Sequence, residues 1–246
     1  MKLNEIQQLK SGLYIVPTPI GNLEDITIRA LNILSSVDII ACEDTRHTGT
    51  MLKVYSILQK KLVSYFEQNE IQKSVYLVNE IIAGKTVALV SDAGSPGISD
   101  PGYRIIQEAI KQNVLIVPLP GATAFIPALA ASGFPTNQFK FVGFPPPKKG
   151  RKNFLEQASS EKCTVILYES PYKILRLIDE LLARCGEERQ ICVAREISKI
   201  YEEFIRGTIP ECKKILETKD VIKGEFVIVL DAVKDKAIKF REDLRM

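Results

Sequence analysis

Ser91-Asp92-Ala93-Gly94-Ser95-Pro96-Gly97-Ile98-Ser99-Asp100-Pro101-Gly102 follows the apolar run Thr86-Val87-Ala88-Leu89-Val90 and precedes an amphipathic helical pattern. Three glycines, two prolines and two aspartates in twelve residues make a poor core segment. Glycine lets a backbone approach a ligand closely, and proline stiffens a loop so that less entropy is lost on binding. A strand that ends in such a loop is where an open α/β domain places its ligand.

Outward from that loop, apolar runs alternate with helical spacing. Strands are expected at Leu13–Val16, Asp38–Cys42, Lys61–Tyr65, Thr86–Val90 and Val114–Val117. Helices are expected at Ile26–Leu34, Thr50–Leu58, Ile71–Ile82 and Ile105–Ile110, with Asp25 capping the first. This βαβα order predicts a mostly parallel sheet with helices on both faces. Pro118-Leu119-Pro120-Gly121 breaks the pattern, and a small-residue helix is expected at Ala122–Ala131. The domain boundary is therefore expected near residue 120, giving an N-terminal α/β domain over 1–120 and a C-terminal one over 121–233.

In the second half, strands are expected at Phe139–Phe144, Cys163–Tyr168, Gln190–Arg195, Tyr201–Arg206 and Phe226–Leu230. Helices fall at Asn153–Ala158, Ile174–Leu182 and Cys212–Glu217. Short links between neighbouring strands point to a mixed or antiparallel sheet with helices. Residues 234–246 read as a charged tail that frays or projects.

Composition narrows the function classes. The 246 residues are 46% hydrophobic and 26% charged, the balance of a soluble globular protein. Cys42, Cys163, Cys185, Cys192 and Cys212 are odd in number, lack a Cys-x-x-Cys pair, and read as residues of a reduced protein. With His47 the sole histidine, no zinc site and no Ser-His-Asp apparatus is expected. No Gly-x-Gly-x-x-Gly follows the first strand and no P-loop is present, which disfavours dinucleotide and nucleoside-triphosphate enzymes. The start Met1-Lys2-Leu3-Asn4-Glu5-Ile6 carries no apolar leader, and no run reaches the ~20 apolar residues of a membrane span, so a cytoplasmic protein is expected.

Three loops leave the carboxyl ends of expected strands: Pro17-Thr18-Pro19-Ile20-Gly21-Asn22, Glu43-Asp44-Thr45-Arg46 and the Ser91–Gly102 stretch. In a parallel sheet those ends share one edge, so the loops can line one crevice. A basic run, Lys148, Lys149, Gly150, Arg151 and Lys152, follows Pro145-Pro146-Pro147 and could track phosphates or simply solubilise. Tyr168-Glu169-Ser170-Pro171-Tyr172-Lys173 and Ala194-Arg195-Glu196-Ile197-Ser198-Lys199 place charge at the ends of apolar runs, for structural pairing or for chemistry.

These segments, together with Leu13-Tyr14-Ile15-Val16 and Pro120-Gly121-Ala122-Thr123-Ala124, resemble the ribosomal RNA small subunit methyltransferase I family of the tetrapyrrole methylase superfamily. The resemblance runs from about Leu13 to Leu230, and it is the order and spacing of the motifs that make it specific. It implies a two-domain α/β enzyme with S-adenosylmethionine in a cleft between domains. It also implies methylation of the ribose 2′-oxygen of a decoding-centre cytidine in 16S rRNA of the small ribosomal subunit, and a homodimer.

On that resemblance, Pro17, Thr18, Asp92, Gly94, Ser95, Pro96, Gly97, Ile98, Asp100, Ala122 and Thr123 are assigned to the cofactor, with Tyr168 and Ser170 from the second domain. A ribose hydroxyl is a weak nucleophile, so a general base or polarising cation is expected to help. The candidates are Glu43, Glu169 and Glu196, with Arg195 and Lys199 as cations. Arg46, Lys148, Lys149, Arg151 and Lys152 are assigned to RNA, and no metal is assigned. Two rivals remain open at this point: a tetrapyrrole C-methyltransferase, and a non-catalytic RNA-binding protein with the same fold.

Overall fold

The computed structural model describes residues 9–219 and 221–233. The expected tail over 234–246 lies outside the described residues. The chain divides into two compact units between Thr123 and Ala124.

The first unit holds five strands: β1 (Gly12–Ile15), β2 (Ile39–Cys42), β3 (Lys61–Ser64), β4 (Thr86–Leu89) and β5 (Ile116–Pro118). They form one sheet in the order β3-β2-β4-β1-β5, every pair parallel. Alternate side chains serve opposite faces, as the two-residue strand period requires. Tyr14, Val16, Ile40, Cys42, Ala88 and Val90 pack with α1 (Ile28–Ser36) and α2 (Thr45–Val54). Leu13, Ile39, Ala41, Val87 and Leu89 pack with α3 (Glu70–Ile82) and α4 (Tyr103–Lys111). The chain moves one way across the sheet through α1 and α2, then back through α3 and α4 on the other face. The reversal puts β4 between β2 and β1, so the loops after β2, β4 and β1 stand side by side at the carboxyl edge.

In this first unit, the expected cap of α1 and the expected bounds of α2 fail for identifiable reasons. Asp25 does not cap α1, because Leu23–Asp25 closes a 3-10 turn. Thr27 takes the cap instead, accepting the Ala30 amide at 3.0 Å, a bond worth about 1 kcal/mol. Helix α2 begins five residues before the expected Thr50, because Asp44 accepts the amides of Arg46 and His47. It ends at Val54, where Ser56 and Gln59 turn into the left-handed region.

The second unit holds α5 (Phe125–Ser132), β6 (Phe139–Gly143), α6 (Arg151–Ser160), β7 (Thr164–Glu169), α7 (Ile174–Cys185), β8 (Gln190–Arg195), β9 (Glu203–Thr208), α8 (Ile209–Glu217) and β10 (Phe226–Leu230). The sheet order is β6-β7-β10-β8-β9, with β6 and β7 parallel and the other pairs antiparallel. This is the mixed sheet expected from the short strand links. Val165, Leu167, Ile191, Val193, Phe226, Ile228 and Leu230 bury one face against α6, α7 and α8. Helix α5 packs on β10, β8 and β9. Strand β9 starts at Glu203 rather than Tyr201, because hydrogen bonds from the amides of Lys199 and Glu202 keep residues 196–202 in tight turns.

Candidate active site

The loops at the carboxyl edge of the first sheet are bonded to one another. Thr18 and Gly94 exchange backbone hydrogen bonds of 2.9 and 3.0 Å, which joins the β1 loop to the β4 loop. The buried Thr18 hydroxyl donates to the Ser91 carbonyl at 3.0 Å. Asp92 Oδ1 accepts the Asp44 amide at 3.2 Å, which ties the β4 loop to the β2 loop. Ser95 Oγ donates to the Ala122 carbonyl at 2.9 Å, which joins the segment after β5. Pro17 packs so closely on Gly121 that a Cβ there would lie 2.5 Å from Pro17 Cβ.

Gly94 and Gly97 have φ of +83° and +80°, conformations open to glycine at little cost. The crown of the loop turns outward at Gly97, Ile98 and Ser99, which are exposed, while Pro96 before them is buried. The far end of the loop is fixed by a contact that the sequence did not signal. Glu70 Oε1 accepts the Gly102 amide at 2.9 Å and the Tyr65 hydroxyl at 3.1 Å. Tyr65 Oη accepts the Ile105 amide at 3.2 Å and lies 3.2 Å from Ser74 Oγ.

Glu43, Asp92 and Asp100 form an acidic group beneath these loops. Burial, then the charge of Glu43, pushes the Asp100 carboxyl up to about 7, with the Asp92 charge adding and a Ser91 hydrogen bond opposing. Burial and then Asp92 raise Glu43 above the usual carboxylate range. Among the described residues, no group of His, Cys, Asp and Glu side chains is arranged to hold a metal ion. Arg46 lies on the exposed side of α2 and grips Asp44 with two nitrogens, at 3.3 and 2.9 Å. Hydrogen bonds from the Arg46 side chain and backbone pull Asp44 down to about 2.

The second unit holds the other residues singled out from the sequence. Lys148, Lys149 and Lys152 are exposed. Arg151 is not part of that exposed run: it is 3% exposed. Its guanidinium donates to Glu180 at 2.7 Å, to Glu169 at 3.2 Å and to the Pro146 carbonyl at 3.4 Å. The first residue of an amphipathic helix faces inward here because two carboxylates wait for it, a pairing that a run of like charges hides. Glu169 spends its other oxygen on the Ser170 amide at 2.9 Å.

Arg195, Glu196 and Lys199 gather in the turn after β8. Arg195 donates to the Lys223 carbonyl and lies 3.5 Å from Glu203. Lys199 bridges Glu196 and Glu225 at 2.9 and 3.2 Å. Partial burial pushes Glu196 up, but hydrogen bonds from Lys199 and the Glu225 amide outweigh it and leave it below the usual range. Tyr168 stands in a row of rings, T-shaped against Phe141 and Phe144 at 5.0 and 5.3 Å. Phe141 in turn stacks on Phe125 at 4.6 Å.

The tetrapyrrole (corrin/porphyrin) methylase family matches residues 12–213. Ribosomal RNA small subunit methyltransferase I of Halalkalibacterium halodurans is 46% identical over 92% of this chain and 78% of its own length. The protein of that name from a Hydrogenobaculum species is 48% identical over 89% of this chain and 94% of its own length. This chain belongs to the ribosomal RNA small subunit methyltransferase I family.

Family membership agrees with the likeness to solved structures. Diphthine synthase aligns with a TM-score of 0.68 at 16% identity, over 93% of each chain. Uroporphyrin-III C-methyltransferase of Thermus thermophilus, solved with S-adenosyl homocysteine, aligns at 0.59 and 16% identity, over 93% of this chain and 99% of that one. At such identities the likeness is one of fold.

Proposed function

We propose that the chain transfers a methyl group from S-adenosylmethionine to the ribose 2′-oxygen of a decoding-centre cytidine in 16S rRNA. The observation that carries the reading is its near full-length kinship with the ribosomal RNA small subunit methyltransferases I. The residues at the carboxyl edge of the first sheet fit the cofactor chemically. Backbone groups of residues 95–98 that are not already bonded within the edge suit a methionine backbone and ribose hydroxyls, and Asp92 and Asp100 suit an ammonium group. When bound, the cofactor supplies an electrophilic methyl group on a sulfonium.

The sulfonium charge is lost during transfer, so a fully charged anionic clamp would hold the ground state more than the transition state. An acidic group in which Asp100 titrates near 7 supplies less than its full formal charge. Rigid loops serve the reaction by fixing the line of attack. Thr18, Ser95 and Gly94 hold the β1 and β4 loops and the segment after β5 together for that purpose.

Among the candidate bases, Glu43 is the strongest. Its raised pKa brings it nearer to neutral operation. Glu169 and Glu196 have oxygens already committed to Arg151, Ser170, Lys199 and Glu225. Lys148, Lys149 and Lys152 are assigned to RNA phosphates. Kinship is also the support for reading the protein as a cytoplasmic homodimer, which sedimentation velocity and cell fractionation would check.

The test is transfer of labelled methyl to unmethylated small subunits and, in parallel, to stripped 16S RNA, mapped by nuclease digestion and mass spectrometry. A 2′-O-methylcytidine in the decoding region is expected. Methyl on a base, or none with S-adenosylmethionine bound, rules the reading out. Glu43→Gln should lower kcat with cofactor affinity kept, and full turnover would remove Glu43 from the mechanism.

A further inference from the structure

Strands β7 and β8 each pair antiparallel with β10, and β6 runs parallel to β7. The chain therefore leaves β6, β7 and β8 at one edge of the second sheet. At that edge Phe226, the first residue of β10, pairs with Glu169 and Arg195, the last residues of β7 and β8. The ends of β7 and β8 are about 10 Å apart, two strand spacings.

Large apolar side chains stand in solvent just past those ends: Tyr172 is 95% exposed, Ile200 93% and Tyr201 72%. Single exposed apolar residues are ordinary, but Tyr172 and Ile200 are the two most exposed large apolar side chains among the described residues. The turn that presents Ile200 and Tyr201 is held from within. The Lys199 amide donates to the Glu196 carbonyl at 2.9 Å, and the Glu202 amide to the Lys199 carbonyl at 3.1 Å. The Ser198 amide donates to Glu202 Oε2 at 2.7 Å. Glu196 and Ser198 take φ of +52° and +65°, strain that persists only where surroundings enforce it.

Charge decides what the surface fits. The carboxylates Glu169, Glu196, Glu202 and Glu225 are taken up by Arg151, Lys199 and backbone amides. Among the described residues, no ion pair engages Lys148, Lys149 or Lys173, which leave the same edge. Exposed tyrosines beside uncommitted lysines match unpaired RNA: rings stack on any base, and ammonium groups meet phosphates.

We infer that this edge is a single-stranded RNA platform, in which Tyr172 and Tyr201 stack bases of the substrate while Lys148, Lys149 and Lys173 hold its phosphates. It rests on the ribosomal-RNA reading above and adds the surface that receives the RNA.

The test is equilibrium binding of the full chain to stripped 16S RNA across a salt series, with methyl transfer and S-adenosylmethionine affinity measured on the same samples. Tyr172→Ala and Tyr201→Ala should each weaken RNA binding roughly 5- to 150-fold with the salt slope unchanged, and Tyr→Phe should restore it. Lys148→Gln with Lys149→Gln should lower the slope by about 1.4. Cofactor affinity should not move. Wild-type RNA affinity in both alanine variants overturns the platform and leaves the methyltransferase reading intact. A wild-type chain that binds no RNA overturns it too. If Tyr201→Ala turns a dimer into a monomer with RNA affinity unchanged, the surface belongs to a second copy and the inference falls. Tyrosine-dependent RNA binding without methyl transfer sustains the platform and sinks the reaction instead.

Discussion

Arg151 and Glu169 form an ion pair of 3.2 Å in which each side chain is only 4% exposed. Glu180 completes the site on the other side of the guanidinium at 2.7 Å. Removing one member leaves the other as an unpaired buried charge. Arg151→Ala should therefore cost roughly 3–5 kcal/mol of stability in urea unfolding, and Arg151→Met a similar amount, since it leaves the same carboxylates unpaired. Its salt slope for RNA binding should stay at the wild-type value, unlike that of the Lys148 and Lys149 variants. A stable Arg151→Ala protein with a reduced slope would return Arg151 to the RNA surface.

Tyr65 is the second buried hub. Burial is the first cause that pushes its hydroxyl up to about 12, so it stays protonated and serves as a hydrogen-bond donor. Tyr65→Phe strips a partner from Glu70, Ser74 and the Ile105 amide at once. A loss of about 1–3 kcal/mol is expected. Because Glu70 also holds the Gly102 amide, KM for S-adenosylmethionine should rise more than kcat falls. Equal stability and unchanged KM would show that the β4 loop is fixed elsewhere.

How much could be read beforehand follows from the range of each interaction. The parallel sheet was legible because the β1, β2 and β4 runs are apolar on both faces and their loops are rich in glycine, proline and aspartate. The neighbours of the Ser91–Gly102 loop followed from the sheet edge. Tyr65 was not legible as a site residue, since its partners Glu70, Ser74 and Ile105 meet it only through packing of α3 and α4. Arg151 was misplaced for a similar reason: Glu169 and Glu180 reach it from β7 and α7. Exposure of Tyr172 and Tyr201 cannot be read from residue type, because tyrosine serves cores and surfaces alike.

Gly121 gives a steric test of the bonded edge. A methyl group there would meet Pro17 Cβ at 2.5 Å and Cγ at 2.8 Å. The Pro17 ring cannot yield without moving the β1 loop, whose Thr18 is pinned to Gly94 and Ser91. Gly121→Ala should cost about 1–3 kcal/mol and weaken S-adenosylmethionine binding, measured by calorimetry. RNA affinity should be unaffected, since the strain stays within the first unit. Unchanged cofactor affinity would mean that the β1 loop takes no part in the site.

Asp100 sets a pH dependence with a definite sign. Its carboxyl titrates near 7 in the fold, first through burial and then through Glu43, against about 3.9 in an unfolded chain. Between roughly pH 4 and 7 the folded protein holds the proton that the unfolded chain has released. Stability should therefore fall as pH rises through that window and level off above it. Asp100→Asn removes the titration, so its stability relative to wild type should grow from pH 4 to 7 and stay constant beyond. Urea midpoints at half-unit steps from pH 4.5 to 8.5 measure the difference. A gap between the two proteins that does not vary with pH would mean that Asp100 is solvated like an ordinary surface carboxylate, and the buried acidic group beneath the loops would reduce to Glu43 and Asp92.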